Sequence, residues 1–430
     1  MTYGEARAFL AGCRPGEIKP GLERMQKVIK LSGQTLDRQA YIHVAGTNGK
    51  GSTAAMIAGI LTAAGKRVGL YSSPAVTGLR DTITIDGQPI GEERFAGLVQ
   101  RLSRWQTEMG EAGPLSEFEL VTALALLYFA EEQTDFTVLE CGMGGRDDAT
   151  NVIPPPRAAV ITPVALDHTA WLGETLEEIA ANKSAIIKHP CTAVSCPSQP
   201  EEALAALLER TAAEGVRLLI PRMETAELLE EGPEGSTFVY DGCRIALPLL
   251  GDRQRENAVT AVEAARVCLP GLSSRDIEQG LASVRMPCRQ ELIRREPPLL
   301  LDGAHNPHGV GALAETVQSL WGKGRITLLI GMLADKETAR CAALLAPLCR
   351  RAVCCTPRGP RPALPAEELK RQLERGGCRE TYAAEDPALA LELAFRLAGK
   401  KPVVVAGSFY LGAELRPLLV TQRDKKGNAV

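Results

Sequence analysis

The chain has 430 residues, a net charge of −3, 23% charged and 45% hydrophobic residues. At roughly 150 residues per domain, this length predicts two or three globular domains, each able to bury its own core. The near balance of charge excludes a global pull toward nucleic acid or an anionic membrane. No apolar run reaches the ~18 residues of a membrane span. The opening stretch MTYGEARAFLAGCRPGEIKP lacks the basic and apolar regions of a secretion signal. The twelve cysteines are scattered, without C-x-x-C pairs or zinc spacing, and read as reduced, mostly buried thiols of a cytoplasmic protein.

The predicted elements alternate along the chain. AYIHVA (40–45), RVGLYS (67–72), DFTVLE (135–140) and AAVIT (158–162) read as buried strands: short, continuously apolar, and bounded by Gly, Pro or polar residues. Between the first two, Met56, Ile57, Ile60, Leu61 and Ala64 recur at helical spacing, with Ser52 expected as N-cap and Gly65 as terminator. This alternation predicts an α/β domain built on a parallel sheet covered on both faces. STFVYDGCRIALPL predicts a hairpin turning at Asp241–Gly242. Two helices follow near 254–268 and 274–284. RMPCRQ (285–290) reads as a boundary. Beyond it PLLLDG, RITLLIG, RAVCC and KPVVVAGS predict the strands of a smaller α/β domain of about 140 residues. The vicinal Cys354–Cys355 reads as strand filler, and the polar tail TQRDKKGNAV as a frayed end.

The chemistry is expected at the carboxyl ends of the strands, where open α/β sheets bind ligands. The first strand runs into GTNGKGS: Gly46, Thr47, Asn48, Gly49, Lys50, Gly51 and Ser52. A Gly-rich loop between a buried strand and a helix N-terminus offers backbone N–H groups to an anion, and the helix dipole favours negative charge. Lys50 can reach a terminal phosphate and Ser52 can face Mg²⁺. The strict G-x-x-x-x-G-K-[ST] pattern is not met: Val44 stands at its first Gly, and Gly51 separates Lys50 from Ser52. The ordinary alternative is a Gly-rich turn with a solvated lysine. The second strand ends at Ser72–Ser73, the third at Glu140 before CGMGG, and the fourth leads into PVALDHT with Asp167 and His168. Singly these read as a turn residue, a surface carboxylate and a loop histidine. Together they predict a metal–nucleotide site in which Ser73 and Glu140 suit Mg²⁺ and His168 is a less usual ligand.

These residues also carry a resemblance. GLERM (21–25), HVAGTNGKGST, YSSP, SEFE, VLECGMGGRDDATNV, ITPVALDHTAWLGETLEEIAANK, LLDGAHNPHG, GMLADKE and GSFYL follow the order seen in folylpolyglutamate synthase/dihydrofolate synthase. That family is part of the Mur-ligase-like group of ATP-dependent amide-forming enzymes. The resemblance implies a large P-loop-type α/β domain over 1–286, carrying ATP and acceptor, and a smaller Rossmann-like domain over 287–430 on the glutamate side that completes the ATP site. It implies ATP as co-substrate, Mg²⁺ at Ser73, Glu140 and His168, L-glutamate as donor of the amine, and a pteroyl or folate carboxylate as acceptor. That carboxylate takes the γ-phosphate to give an acyl phosphate, which the glutamate amine displaces. A monomer is implied, with no nucleic acid or membrane partner. Lys183 matches a carbamylated lysine, Asn257 a residue beside the adenine, and Gln254 the usual glutamine of its stretch. Arg289 matches an arginine on the ATP phosphates and Asp302 a ribose ligand, with His305 beside it. The Lys19–Leu22 region, with Gly21 and Leu22, and Ser116–Glu119, with Phe118 and Glu119, match the pterin side. So do Asp148 and Ala149.

The departures from the family pattern concentrate on that pterin side. Ala75–Val76 stand for His-Leu, Asp81-Thr82-Ile83 for Glu-Arg-Ile, and Asp147 for a leucine. On the nucleotide side Arg253 replaces a histidine, Cys288 a glycine and Asn182 a glutamate. The expectation is that the ATP chemistry is kept and the acceptor pocket retuned, the alternative being a related ligase acting on another carboxylate.

Overall fold

A computed structural model describes residues 1–13 and 20–424. The chain forms two units: Met1–Leu229 with Thr237–Leu247 and Gln254–Val284, and Glu230–Ser236 with Pro248–Arg253 and Arg285–Val430.

The first unit opens with helices α1 (Tyr3–Ala11) and α2 (Glu23–Ser32), then β1 (Ala40–Ala45), α3 (Lys50–Ala63), β2 (Val68–Tyr71), β3 (Ile83–Ile85), β4 (Gln88–Pro89), α4 (Glu92–Gln106), α5 (Glu117–Glu131), β5 (Phe136–Glu140) and β6 (Ala158–Ile161). It continues through α6 (Thr169–Leu172), α7 (Leu176–Lys183), β7 (Thr192–Ser195), α8 (Glu201–Glu214) and β8 (Arg217–Leu219). Its sheet has the order β4-β3-β2-β5-β1-β6-β7-β8. The four strands predicted from apolar runs are its centre and run parallel, with Val44 beside Glu140 and Ala45 beside Ile161. Their carboxyl ends therefore share one edge. β3 is antiparallel to this core, and β4, antiparallel to β3, runs with the core again, so the sheet is mixed at one side. These strands, with β7 and β8, are too short to announce themselves by apolar pattern.

Tyr41, Tyr71 and Leu139 pack with Ala6, Val28, Leu98 and Leu124 in one core, and Ile161 and Ala193 pack with Ile179, Ala180 and Leu207 in another. α5 is apolar around its circumference (ELVTALALLYFA) and buries ten of its residues, as a helix between layers must. Then come β9 (Ala226–Gly232), β10 (Gly235–Tyr240) and β11 (Cys243–Leu247), a three-stranded sheet of order β11-β10-β9, and helices α9 (Asp252–Cys268) and α10 (Ser274–Ser283). The predicted hairpin turns at Asp241 (φ 48°) and Gly242 (φ 78°), the two left-handed residues such a turn demands.

The second unit contains β12 (Glu291–Arg295), β13 (Pro298–Leu301), α11 (Pro307–Trp321), β14 (Ile326–Ile330), α12 (Thr338–Leu345), β15 (Cys349–Cys354), α13 (Ala366–Arg375), β16 (Glu380–Ala383), α14 (Pro387–Ala398), β17 (Val403–Ala406) and α15 (Phe409–Asp424). Its sheet order is β12-β13-β17-β14-β15-β16, parallel except for β12 against β13. Cys354 and Cys355 are buried, and all twelve cysteines are free thiols. α15 runs to Asp424, into the tail read as frayed. Among the described residues no helix is long and apolar enough to cross a membrane.

α3 crosses α10 at Gly59 and Gly280. A Cβ on Gly59 would stand 2.8 Å from the Gly280 carbonyl oxygen, and one on Gly280 would collide with the Ile60 backbone. Backbone cannot yield as a side chain can. Gly280→Ala is therefore expected to lower the unfolding free energy by about 2 kcal/mol, read as a lower midpoint in urea denaturation.

Candidate active site

The loop after β1 is stitched to the turn after β6. Thr47 N–H donates to Pro163 O at 2.9 Å, the Thr47 hydroxyl donates to Ala165 O at 3.0 Å, and Ala165 N–H returns to Thr47 Oγ1 at 3.0 Å. Gly46 (φ 151°) lies so close to Thr162 that no Cβ fits. Gly49 (φ 85°) is left-handed, and a Cβ there would lie 2.5 Å from Asn257 Oδ1, so the predicted Asn257 does meet the loop. Its amide is oriented by donation to Gln254 Oε1 at 3.0 Å.

Ser52 is not the N-cap. α3 begins at Lys50 with Gly49 in the cap position, and no side chain caps it. The left-handed glycine lets the helix start three residues earlier than a Ser52 cap requires. The first intrahelical bond is Thr53 N–H to Gly49 O at 2.9 Å. The N–H groups of Lys50, Gly51 and Ser52 precede it and are the donors a helix start offers to an anion.

Lys50 Nζ donates to Gly46 O and Thr47 O, both at 3.2 Å, closing the loop on itself. Lys183, the last residue of α7, is buried and donates to the same Gly46 O at 2.8 Å. Burial, with the charge of Lys50 nearby, pulls its amine down to about 7. Glu140, at the end of β5, is buried. Its Oε2 accepts the Ser73 N–H at 3.0 Å, and its two oxygens lie 3.2 and 3.4 Å from where a Gly51 Cβ would be. A carboxylate thus stands beside the first turn of α3, tied to the backbone of Ser73, whose side chain carries a hydroxyl. Hard oxygen donors of this kind fit Mg²⁺. His168 is half-buried in a left-handed conformation (φ 53°) at the start of α6, its N–H held by Asp167 Oδ1 at 2.9 Å. A non-glycine residue held there is uncommon and reports local constraint.

Of the residues expected on the acceptor side, two carboxylates are engaged by protein. Asp148 accepts from the N–H groups of Met143 (2.8 Å) and Thr150 (3.0 Å) and from the Thr150 hydroxyl (2.5 Å), which fastens the CGMGG loop. Ala149 is buried in the turn that follows. Glu119 takes Arg24 Nε at 2.8 Å through Oε1 and closes the Ser116 cap of α5 through Oε2. Phe118 stands 6.3 Å from the Tyr71 ring. Gly21 (φ 108°) and Leu22 lead into α2; Lys19 lies outside the described residues.

In the second unit, Asp302 follows β13. It is buried, its oxygens accepting Ala304 N–H at 2.6 Å and Gln290 N–H at 2.8 Å, and burial raises its carboxyl above the usual range. The Arg289 guanidinium lies 4.0 Å over the Phe409 ring, and the His305 ring meets the same ring edge-on at 5.5 Å.

Sequence reasoning missed Arg24, Thr150 and His43. Arg24 lies inside the quoted GLERM, and only the burial of Glu119 exposes its role. His43, in β1, is fully buried, 2.7 Å from Thr150 Oγ1 and 3.1 Å from the Cys141 sulfur. Because the Thr150 hydroxyl donates to Asp148, the imidazole carries its proton on Nε2, and Nδ1 has no partner. A polar residue at alternate position within an apolar strand was the available signal.

A Gly-rich loop at an uncapped helix start, a strand-edge carboxylate and a buried lysine suit an enzyme that handles phosphates, and the class to which the chain belongs is that of the Mur ligases. The family model for the Mur ligase middle domain matches residues 44–265, and that for the Mur ligase glutamate ligase domain matches 288–409. The dihydrofolate synthase/folylpolyglutamate synthase of Bacillus subtilis is 37% identical over 78% of this chain and 80% of its own. Folylpolyglutamate synthase of Lacticaseibacillus casei is 34% identical over 98% of this chain and 99% of its own. The structure of Mycobacterium tuberculosis folylpolyglutamate synthase complexed with ADP superposes with a TM-score of 0.89, at 29% identity, over 97% and 98% of the two chains. The chain belongs to the folylpolyglutamate synthase/dihydrofolate synthase family of ATP-dependent glutamate ligases.

Burial lowers the His43 imidazole from 6.5 to about 3. Between those values the unfolded chain binds a proton the folded one refuses, so His43 draws stability down as pH falls from 6.5 toward 3. His43→Gln is expected to flatten this part of the stability–pH curve by one proton's slope, measured by denaturant unfolding. Parallel curves for the two proteins would contradict the assignment.

Proposed function

We propose that this chain joins L-glutamate to the carboxylate of a folate-type acceptor, with ATP split to ADP and phosphate at the Lys50 loop. The observation that carries the reading is the uncapped first turn of α3, with Lys50 at its start and the Glu140 carboxylate beside it. A bare helix start collects an anion, and a carboxylate adjoining it has use when a divalent cation shares the phosphate.

The task is to bring a carboxylate to a polyanion. In the reading proposed, an acceptor oxygen attacks the γ-phosphorus while its bond to the β-phosphate oxygen breaks and ADP leaves. The glutamate nitrogen then attacks the acyl carbon, phosphate departs, and the nitrogen gives up its proton. The N–H groups of Gly51 and Ser52 and the Lys50 ammonium are assigned to the transferring phosphoryl, where charge develops. Thr47, Asn48 and Gly49 shape the loop, and Asn257 borders it for the base. Ser73, Glu140 and His168 are assigned to Mg²⁺, which when bound neutralises phosphate charge. Arg289, Asp302 and His305 are assigned to the nucleotide by their motifs. Gly21, Leu22, Phe118, Glu119, Asp148 and Ala149 are assigned to the acceptor by their motifs, Glu119 and Asp148 also fastening the polypeptide there.

The departures bear on which acid is used. Asp147 is exposed beside the buried Asp148, and Ala75 is exposed after Ser73, so both alter the charge and shape a ligand would meet. ADP release with dihydropteroate, tetrahydrofolate and a UDP-muramyl peptide, each with glutamate, tests this. Turnover with a pteroyl acceptor is expected. Turnover with the muramyl peptide alone would install the other-carboxylate reading, and silence throughout would remove the ligase assignment.

Lys183 is proposed to carry a carbamate. The modification needs a neutral amine and releases a proton, so an amine lowered to about 7 takes up CO₂ above that pH and loses it below. With ¹³C-bicarbonate, a carbamate carbon signal is expected at pH 8 and should fade by pH 6. Lys183→Ala should lose the signal and reduce kcat on the order of a hundredfold while retaining ADP binding. Unchanged turnover would exclude the role.

A further inference from the structure

The segment between β7 and α8, CPSQP, lies outside every motif quoted above, yet two of its side chains reach the framework of the nucleotide loop. The Gln199 amide makes three hydrogen bonds to the turn after β6: Nε2 donates to Ile161 O at 3.3 Å and to Thr162 O at 3.0 Å, and Oε1 accepts Val164 N–H at 3.1 Å. Two carbonyls and one N–H fix which end of the amide is which. The same turn carries Thr162, against which Gly46 is pressed, and Pro163 and Ala165, to which Thr47 is bonded. The chain of contact runs Gln199, residues 161–165, residues 46–48. The neighbouring Ser198 hydroxyl donates to Glu256 Oε2, one residue before the Asn257 that abuts Gly49. One short loop thus holds the backing of the phosphate loop on one side and the start of α9 on the other.

We propose that Gln199, seconded by Ser198, is a positioning residue for the nucleotide: it fixes the 161–165 turn and through it the carbonyl and N–H directions of Gly46–Asn48. This rests on the nucleotide reading of the Lys50 loop. Turn residues 161–165 have no other side chain making three bonds to their backbone among the described hydrogen bonds. Without the amide, two carbonyls and an N–H must find water, and the turn loses its reference point. Misplacement of a binding loop by a fraction of an ångström weakens what the loop holds without touching other substrates.

Two variants test this. Gln199→Leu keeps the volume and removes the amide; Gln199→Glu keeps an acceptor for Val164 N–H and loses both donors, and serves if the leucine variant does not fold. Mg²⁺–ADP affinity is measured by calorimetry, and KM and kcat are measured separately for ATP and for the pteroyl acceptor. The expected result is a rise on the order of tenfold in the ADP Kd and in KM for ATP, with KM for the acceptor unchanged. A purely structural role would lower kcat through the active fraction and leave both KM values alone, and that result overturns the proposal. Normal ADP binding in the unaltered enzyme and in the glutamate variant alike overturns the brace alone. Absence of Mg²⁺–ADP binding by the unaltered enzyme overturns the nucleotide reading and the brace with it.

Discussion

Two lysine side chains end on one backbone oxygen. Lys50 and Lys183 both donate to the Gly46 carbonyl, at 3.2 and 2.8 Å. Lys183 is stripped of water by burial, and the charge of Lys50 nearby repels a second ammonium. The buried one yields: Lys183 becomes a base near neutrality, while Lys50 stays at the helix start. The arrangement explains why the loop needs Gly46, whose carbonyl can be presented to both amines only with the backbone pressed on Thr162.

Much of this could be read in the chain. The four central strands, the hairpin at Asp241–Gly242 and the convergence of Lys50, Ser73 and Glu140 followed from apolar runs and the strand-edge rule, because those signals are local. What was hidden is what depends on partners distant in sequence. Ser52 looks like a cap because serine caps helices, but the left-handed Gly49 and the neighbouring Asn257 decide the start. That Arg24 holds Glu119 and Thr150 holds Asp148 shows only once those residues are placed beside them. β7, β8 and β16 are short edge-side strands without a strong pattern, and β3 and β12 turn antiparallel for reasons no periodicity carries. The contacts of Gln199 span 35 to 38 residues and end on backbone atoms, which leave no trace in side-chain identity.

The polar interior around β1 and β5 is unusually linked. His43, Thr150, Asp148 and the Met143 N–H form one line of donors and acceptors beneath the CGMGG loop. Along the line each donor meets an acceptor, while His43 Nδ1 has no partner, so a buried carboxylate and a neutral buried imidazole coexist without a counter-ion in that line. Such a line resists change at any one position. The exposed Asp147 is outside it, and of the other departures from the family pattern Ala75 and Asp81 are exposed as well, whereas Thr82 is buried.

The glycine crossing of α3 on α10 has a mechanical side. With backbone against backbone at Gly59 and Gly280, there is no compressible layer between the two helices. A shift of α3 at this crossing has no side chains to absorb it, so α10, and the β11 strand packed against α10, are the elements that meet it first.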